Sequence, residues 1–174
     1  MPAGEKLRAP DSGKRFHVVL VEPEIPPNTG AVARTCAATR SALHLVHPLG
    51  FRIDERSVRR AGLDYWPLVD LHEHDSFSAF EDSRPEQRVH VFSANATRSY
   101  LEADLRPGDA LVFGKESVGL DPAIVERHAA HCWAVPTIGA VRSLNLSNTV
   151  AIVLFEALRR NGALDKVYMG QGVS

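Results

Sequence analysis

The run Val150 to Phe155 is apolar at every position, and Ala157 and Leu158 extend it past Glu156. A helix apolar on all sides belongs in a core rather than on a surface, so this stretch predicts a buried helix. Asn161-Gly162 marks its stop, because Gly accepts the left-handed conformation that ends helices. Its start is crowded with short polar side chains: Ser143, Asn145, Ser147, Asn148 and Thr149 fill five of seven positions. Ser, Asn and Thr favour helix starts, which accounts for one or two of them. The others, drawn towards a core, require hydrogen-bond partners. The positive end of the helix dipole suits a carboxylate or phosphate, so a polar ligand is expected there.

A buried helix needs a sheet, and the chain supplies strands at intervals. Phe16–Val21 is a short β-branched run of the kind buried in parallel sheets. Pro23, Pro26 and Pro27 then forbid a continuing strand or helix. Asn28 or Thr29 is placed to cap a helix through residues 31–40, and ALHLVHP follows as a second strand. Asp54 begins a short helix through Asp64, with a strand at Pro67–Leu71 and a weak helix around Phe77–Phe80. Further strands are expected at Arg88–Ala94, Asp109–Gly114 and CWAVP, with a helix from Asp121-Pro122 to Ala130. Strands alternating with helices imply an α/β fold, a mostly parallel sheet with helices on both faces. One domain spans residues 16–164, between a loose N-terminal tail at 1–15 and a C-terminal tail at 165–174.

Ligands of parallel α/β folds sit outside the carboxyl ends of the strands. Three loops there are rich in functional groups: PPNTG, FGKESVGL and PTIGAVRSLNLS. The chain has no GxGxxG after its first strand, no GxxxxGK[ST] and no GxSxG. The dinucleotide, P-loop and serine-hydrolase readings therefore lose their support, and a flavodoxin-like nucleotide module is disfavoured with them. Formal charge is −1, so any nucleic-acid contact must come from a local patch rather than the whole surface. Cys36 and Cys132 lack metal or redox spacing and read as buried small hydrophobes in a reducing cytosol. The longest apolar run is far below the ~18 residues of a membrane span, and no secretory pattern opens the chain. A cytoplasmic protein without membrane contact is expected.

PPNTG with the following Arg34, LVFGKESVGL, and Pro136 leading to RSLNLSN resemble the three ordered motifs of SPOUT-superfamily RNA ribose 2′-O-methyltransferases. VEPEIPPNTG, HPLGF and RRAGLDYW narrow the resemblance to the small TrmL type, which modifies the wobble nucleotide of tRNA. The resemblance covers residues 16–162. It implies S-adenosylmethionine as cofactor, a C-terminal trefoil knot, a homodimer and a tRNA substrate, C or U at position 34 of the anticodon. It also implies Phe92, Gly114, Val135, Ile138, Ser143 and Leu144 around the cofactor, and Arg34, Glu116, Ser143 and Asn145 as the catalytic set. A guanidinium is effectively always protonated, so Arg34 suits an electrostatic clamp on phosphate or developing alkoxide better than a base. Glu116 is placed to pair with it. Ala31 stands where relatives commonly carry Asn, which leaves a catalytically silent RNA-binding protein as an alternative beside methylation of ribosomal RNA.

Arg56, Arg59 and Arg60 fall on one side of the helix after Asp54, with Arg52 adjacent. In a near-neutral chain they form the best candidate patch for RNA phosphates. Tyr65 and Trp66 are expected in core or dimer contact. His72-Glu73-His74-Asp75 invites a metal reading, but further ligands at matching spacing are missing. A surface loop and no metal are expected.

Overall fold

A computed structural model of the chain describes residues 4–52 and 65–171. Its centre is a six-stranded sheet in the order β4-β3-β2-β6-β5-β7. The strands are β2 (His17–Val21), β3 (Ala42–Val46), β4 (Asp70–His74), β5 (Val89–Phe92), β6 (Ala110–Phe113) and β7 (Cys132–Trp133). Every pairing within it is parallel. Near-continuous apolar runs such as HVVLV and ALVF are what strands covered on both faces require.

Alternate residues of each strand serve the two faces. Val18, Leu20, Leu43, Leu45, Leu111 and Phe113 pack under helices α1 (Pro26–Thr39) and α4 (Leu146–Arg160). Val19, Val21, Val46, Val91 and Val112 pack under α2 (Phe77–Ser83) and α3 (Pro122–Arg127). A fully buried Leu such as Leu154 contributes about 2 kcal/mol to that packing.

Several local expectations are corrected. The helix at 146–160 is amphipathic: Val150, Val153, Leu154, Ala157 and Leu158 are buried, while Ile152 and Phe155 are 38% and 44% exposed. The two prolines do not bar α1 but open it, occupying its first positions after an extended Ile25. Those positions need no amide hydrogen, and the fixed φ of proline already suits them. Asn28 and Thr29 consequently lie inside the first turn, both buried. Trp66–Leu68 is a 3-10 turn, and the strand begins only at Asp70. The His72–His74 stretch is therefore part of β4, not a loop. The helix expected after Asp54 lies outside the described residues.

The termini also depart from loose tails. β1 (Lys6–Arg8) and β8 (Tyr168–Gly170) pair antiparallel as a separate two-stranded ribbon. Other readings hold: Cys36 and Cys132 are buried and free, and Asp121 caps α3 by accepting from the Ala123 amide at 2.7 Å. Among the described residues no helix is long and apolar enough to cross a membrane, and no group of His, Cys, Asp or Glu is arranged to hold a metal ion.

On the α2 face, β2, β3 and β4 line up a chain of histidines. His17 Nδ1 lies 2.9 Å from His44 Nε2, and His44 Nδ1 lies 2.9 Å from His74 Nε2. The ring of His72 stacks on His44 with centroids 4.7 Å apart. Each nitrogen contact needs one N–H and one bare nitrogen, which neutral rings supply. Burial first, then the neighbouring cations, push His44 down to about 2 and His17 down to about 4.

Candidate active site

The strand order reverses between β2 and β6, which is where an open parallel sheet leaves a crevice at its carboxyl edge. The two loops that flank this point are stitched together. Glu116, after β6, accepts from the amides of Glu24 at 2.8 Å and Ile25 at 3.1 Å, both after β2. Lys115 reaches Glu22 at 2.6 Å, and Ser117 donates from N and Oγ to Glu24 at 3.0 and 2.9 Å. Glu22 itself has φ of 51°, a left-handed backbone that a non-glycine residue adopts at a cost of order 1–2 kcal/mol. Its ion pair with Lys115 and the 2.9 Å bond from its amide to Val46 O hold it there.

The third loop joins through asparagines. Asn28 Nδ2 donates to Glu116 Oε1 at 3.1 Å, and Asn145 Nδ2 donates to Asn28 Oδ1 at 3.0 Å. Asn145 is also the cap of α4, its Oδ1 accepting from the amides of Ser147 and Asn148. One relay, Glu116–Asn28–Asn145, thus pins the starts of α1 and α4 to the β6 loop. Arg142 adds a weaker tie, donating to Ser117 O at 3.4 Å. Burial would raise the Glu116 carboxyl, but bonds from the Glu24 amide, the Asn28 side chain and the Ile25 amide outweigh it and hold it below its ordinary value. The carboxylate is therefore charged at neutral pH and committed to the relay.

Arg34 does not pair with Glu116. Its guanidinium lies over the Tyr65 ring, 4.6 Å from the centroid, while Tyr65 donates its hydroxyl to Gly30 O at 2.7 Å. A cation held on an aromatic face keeps its charge without a neutralising carboxylate. Arg34 is exposed on α1, so the charge faces outward from a fixed base. Sequence reading missed this partner because Tyr65 is distant in the chain and no spacing rule links it to Arg34. It also missed Glu22, Glu24 and Lys115, which look like ordinary loop charges. Thr29 Oγ1 is buried without a partner among the described residues.

Gly114 has an unambiguous role. A Cβ on it would stand 2.2 Å from Gly119 C and from Leu120 N, so the two strands of this loop pass too closely for any side chain. The requirement is close approach rather than a positive φ; positive φ belongs to Gly119, at 78°. Phe92 is buried and stacked on Phe113 with centroids 4.9 Å apart. Val135 and Leu144 are half-buried, while Ser143 is exposed and Ile138 fully so. Phe92 and Gly114 lie at the ends of β5 and β6, and Ile138 and Ser143 stand exposed between β7 and α4. A cleft of about 710 Å³ is lined by Glu22, Ser93, Asn95, Lys115, Leu120 and Asp121 among others; none of the six residues expected around the cofactor lines it, although Ser93 and Lys115 directly follow Phe92 and Gly114. That volume falls within the ~300–1,000 Å³ typical of small-molecule sites. Of the predicted RNA contacts, Arg52 is exposed, and Arg56, Arg59 and Arg60 lie outside the described residues.

A parallel sheet whose reversal point gathers three polar loops, without a phosphate-binding glycine loop, defines an α/β protein built to bind its ligand in a crevice at the strand ends. The chain belongs to the SpoU rRNA methylase family, whose model matches residues 15–155. It is 48% identical over 151 residues to the tRNA (cytidine(34)-2′-O)-methyltransferase of Burkholderia pseudomallei, covering 84% of this chain and 96% of that one. The enzyme of the same name from Acidovorax sp. is 45% identical over 152 residues, with 86% and 94% covered. A solved structure from work on the 2-OH methylation of C/U34 on tRNA superposes with a TM-score of 0.80 at 47% identity, covering 85% of this chain and 97% of that one.

Proposed function

We propose that the chain transfers a methyl group from S-adenosylmethionine to the ribose 2′-hydroxyl of the wobble nucleotide, C or U34, of a tRNA. The observation that carries this reading is the Glu116–Asn28–Asn145 relay, which draws all three family motifs to one crevice. The family description names ribosomal RNA, but the relatives that align over most of their own length and of this chain carry the tRNA name. The tRNA reading is preferred for that reason.

The residues present suit the cofactor. Carboxylates of Asp121 and Glu126 line a cleft that also offers the apolar Val118, Leu120 and Val125, which matches a cationic donor carrying an adenine. By the family resemblance Phe92, Gly114, Val135, Ile138, Ser143 and Leu144 would contact the cofactor; of these, Phe92 and Gly114 immediately precede the cleft residues Ser93 and Lys115. S-adenosylmethionine supplies an electrophilic methyl on sulfur, and no metal is required for in-line displacement. The chain's own task is to hold and to polarise. Arg34, fixed on Tyr65, is positioned to bind the target phosphate and to stabilise charge growing on the 2′-oxygen. Glu116 and Asn145 hold the loops, and Ser143 orients ribose or cofactor. Fixing the reacting groups at near-attack distance accounts for much of the rate.

Two finer features belong to the same reading. A C-terminal trefoil knot belongs to this reading, and the path of the chain agrees with it. After β7 at the sheet edge, it must return past the ends of β5 and β6 to bring Asn145 to Asn28. A homodimer is supported by the uncovered Ile152–Phe155 stripe on α4, which a second copy would bury. Cytoplasmic location fits a tRNA substrate. Incubation of the chain with S-adenosylmethionine and bulk tRNA, followed by mass-spectrometric mapping of ribose methylation, tests the proposal. A 2′-O-methyl at position 34 is expected; methylation only elsewhere, or none, overturns it.

A further inference from the structure

The ribbon of β1 and β8 lies outside the residues that the family model matches, 15–155. Its register pairs Lys6 with Gly170, Leu7 with Met169 and Arg8 with Tyr168. Directly opposed residues share a face of a two-stranded sheet, so Lys6, Arg8, Tyr168 and Gly170 lie on one side, and Leu7 and Met169 on the other. The Tyr168 ring is laid over Gly170: a Cβ there would meet Tyr168 Cε2 at 2.8 Å and Arg8 Cγ at 3.6 Å. Glycine leaves the ring room to lie along the strand beside Arg8, with its outer surface open; Tyr168 is 53% exposed.

The charge on this face is unspent. Many cations elsewhere are neutralised: Arg15 and Arg40 by Asp11, Arg106 by Asp104, Lys115 by Glu22, Arg127 by Glu81 and Arg159 by Glu156. Among the described residues Lys6, Arg8 and Lys166 form no ion pair. Asp165, the neighbour of Lys166, turns its carboxylate towards Gly162. Glu5 stands at the ribbon's margin. In a chain of net charge −1, unpaired Lys6 and Arg8 on the same face as an open aromatic ring, with Lys166 two residues before that ring in sequence, are a local feature that calls for an anion with a flat apolar surface. Phosphates and an unpaired base together provide that combination.

We propose that this ribbon is a second RNA-contact face, in which Lys6, Arg8 and Lys166 hold phosphates and Tyr168 stacks on an unpaired base. The proposal rests on the tRNA reading above and extends it in space. The ribbon follows the C-terminal end of α4, whereas Asn145 caps the start of that 15-residue helix, a separation of about 22 Å at 1.5 Å per residue. A folded tRNA spans both points; a short oligonucleotide seated at the crevice does not.

Binding of labelled tRNA across a salt titration tests it. The triple variant Lys6→Ser, Arg8→Ser, Lys166→Ser is expected to weaken binding about tenfold and to reduce the slope of log affinity on log salt by about 2, three contacts at ~0.7 each. Its affinity for S-adenosylmethionine and its melting temperature should stay as in the unaltered chain. Tyr168→Ala should weaken tRNA binding about fivefold or more, and Tyr168→Phe should restore it, because stacking needs the ring alone. An unchanged salt slope overturns the proposal. So does a variant that instead loses binding to phosphatidylserine vesicles, or that changes sedimentation mass at constant RNA affinity. Should the triple variant fail to fold, ultraviolet crosslinking of tRNA to the unaltered chain decides: a crosslink within residues 165–171 is expected, and none there refutes it. RNA binding with an unaltered slope sinks the ribbon alone, while a chain that neither binds nor methylates tRNA takes the functional reading with it.

Discussion

Arg34 illustrates how one residue keeps a charge available. A surface arginine normally finds a carboxylate, as Arg127 finds Glu81 at 2.6 Å, and its field is then cancelled. Stacking on Tyr65 anchors the guanidinium while leaving its N–H edge and its charge for a ligand. Arg34→Ala should therefore abolish methyl transfer while the affinity for S-adenosylmethionine changes no more than a few-fold, as measured by turnover and calorimetry on the same preparation. Normal turnover in that variant removes Arg34 from the mechanism. Of the motif residues, Glu116, Asn28 and Asn145 were legible as a group because their types and order carry the family pattern. Their actual bonding was not. The expected Arg34–Glu116 pair followed from charge alone, and charge does not reveal that three nearer donors already occupy the carboxylate.

At the level of elements, alternation of β-branched runs with helical segments was enough to place β2, β3, β5, β6 and β7 and the packing helices. Failures cluster where position outweighs composition. Prolines at 26 and 27 read as breakers but start α1, and the His72–His74 segment reads as a loop but completes the sheet. Burial of Ile152 and Phe155 could not be judged from an apolar run, because the chain does not say which side of a helix a partner will cover. The β6 loop makes its own prediction. Gly114→Ala would set a Cβ 2.2 Å from backbone atoms of Gly119 and Leu120, where backbone cannot yield cheaply. A loss of roughly 1–3 kcal/mol or more in stability is expected from such overpacking, read as a lowered melting temperature together with loss of cofactor binding.

The histidine chain gives β2, β3 and β4 a shared pH dependence. His44 and His17 are held neutral by burial, His44 down to about 2 and His17 to about 4, against an ordinary value of 6.5. Unfolding lets these rings take up protons, so stability is full above about 6.5 and falls as pH drops from there towards 4. The neighbouring His72, His74 and Arg84 add like charge, and Asp70 opposes it. Melting temperature should be level from pH 7 upwards and decline below 6.5, and His44→Phe should flatten that decline. The slope due to His44 is at most about 1.4 kcal/mol per pH unit. A profile equally steep in the variant assigns the effect elsewhere.

Across the described residues, α1 to α4 cover the two sheet faces, but the outer stripe of α4 is left uncovered. Phe155→Glu should leave the fold intact, because that side chain is 44% exposed, and should shift the sedimenting species to the monomer. An unchanged mass would show that the stripe is not the subunit contact. One edge of the sheet is β4, whose sequence Asp70, Leu71, His72, Glu73, His74 is mostly polar. Its carboxylates are tethered to imidazoles, Asp70 to His72 at 2.9 Å and Glu73 to His47 at 2.7 Å. An incoming strand would have to strip water from these groups before it could add to the ladder. The protein thus carries, in the polar side chains of its longer edge strand, its own barrier to fibrous assembly.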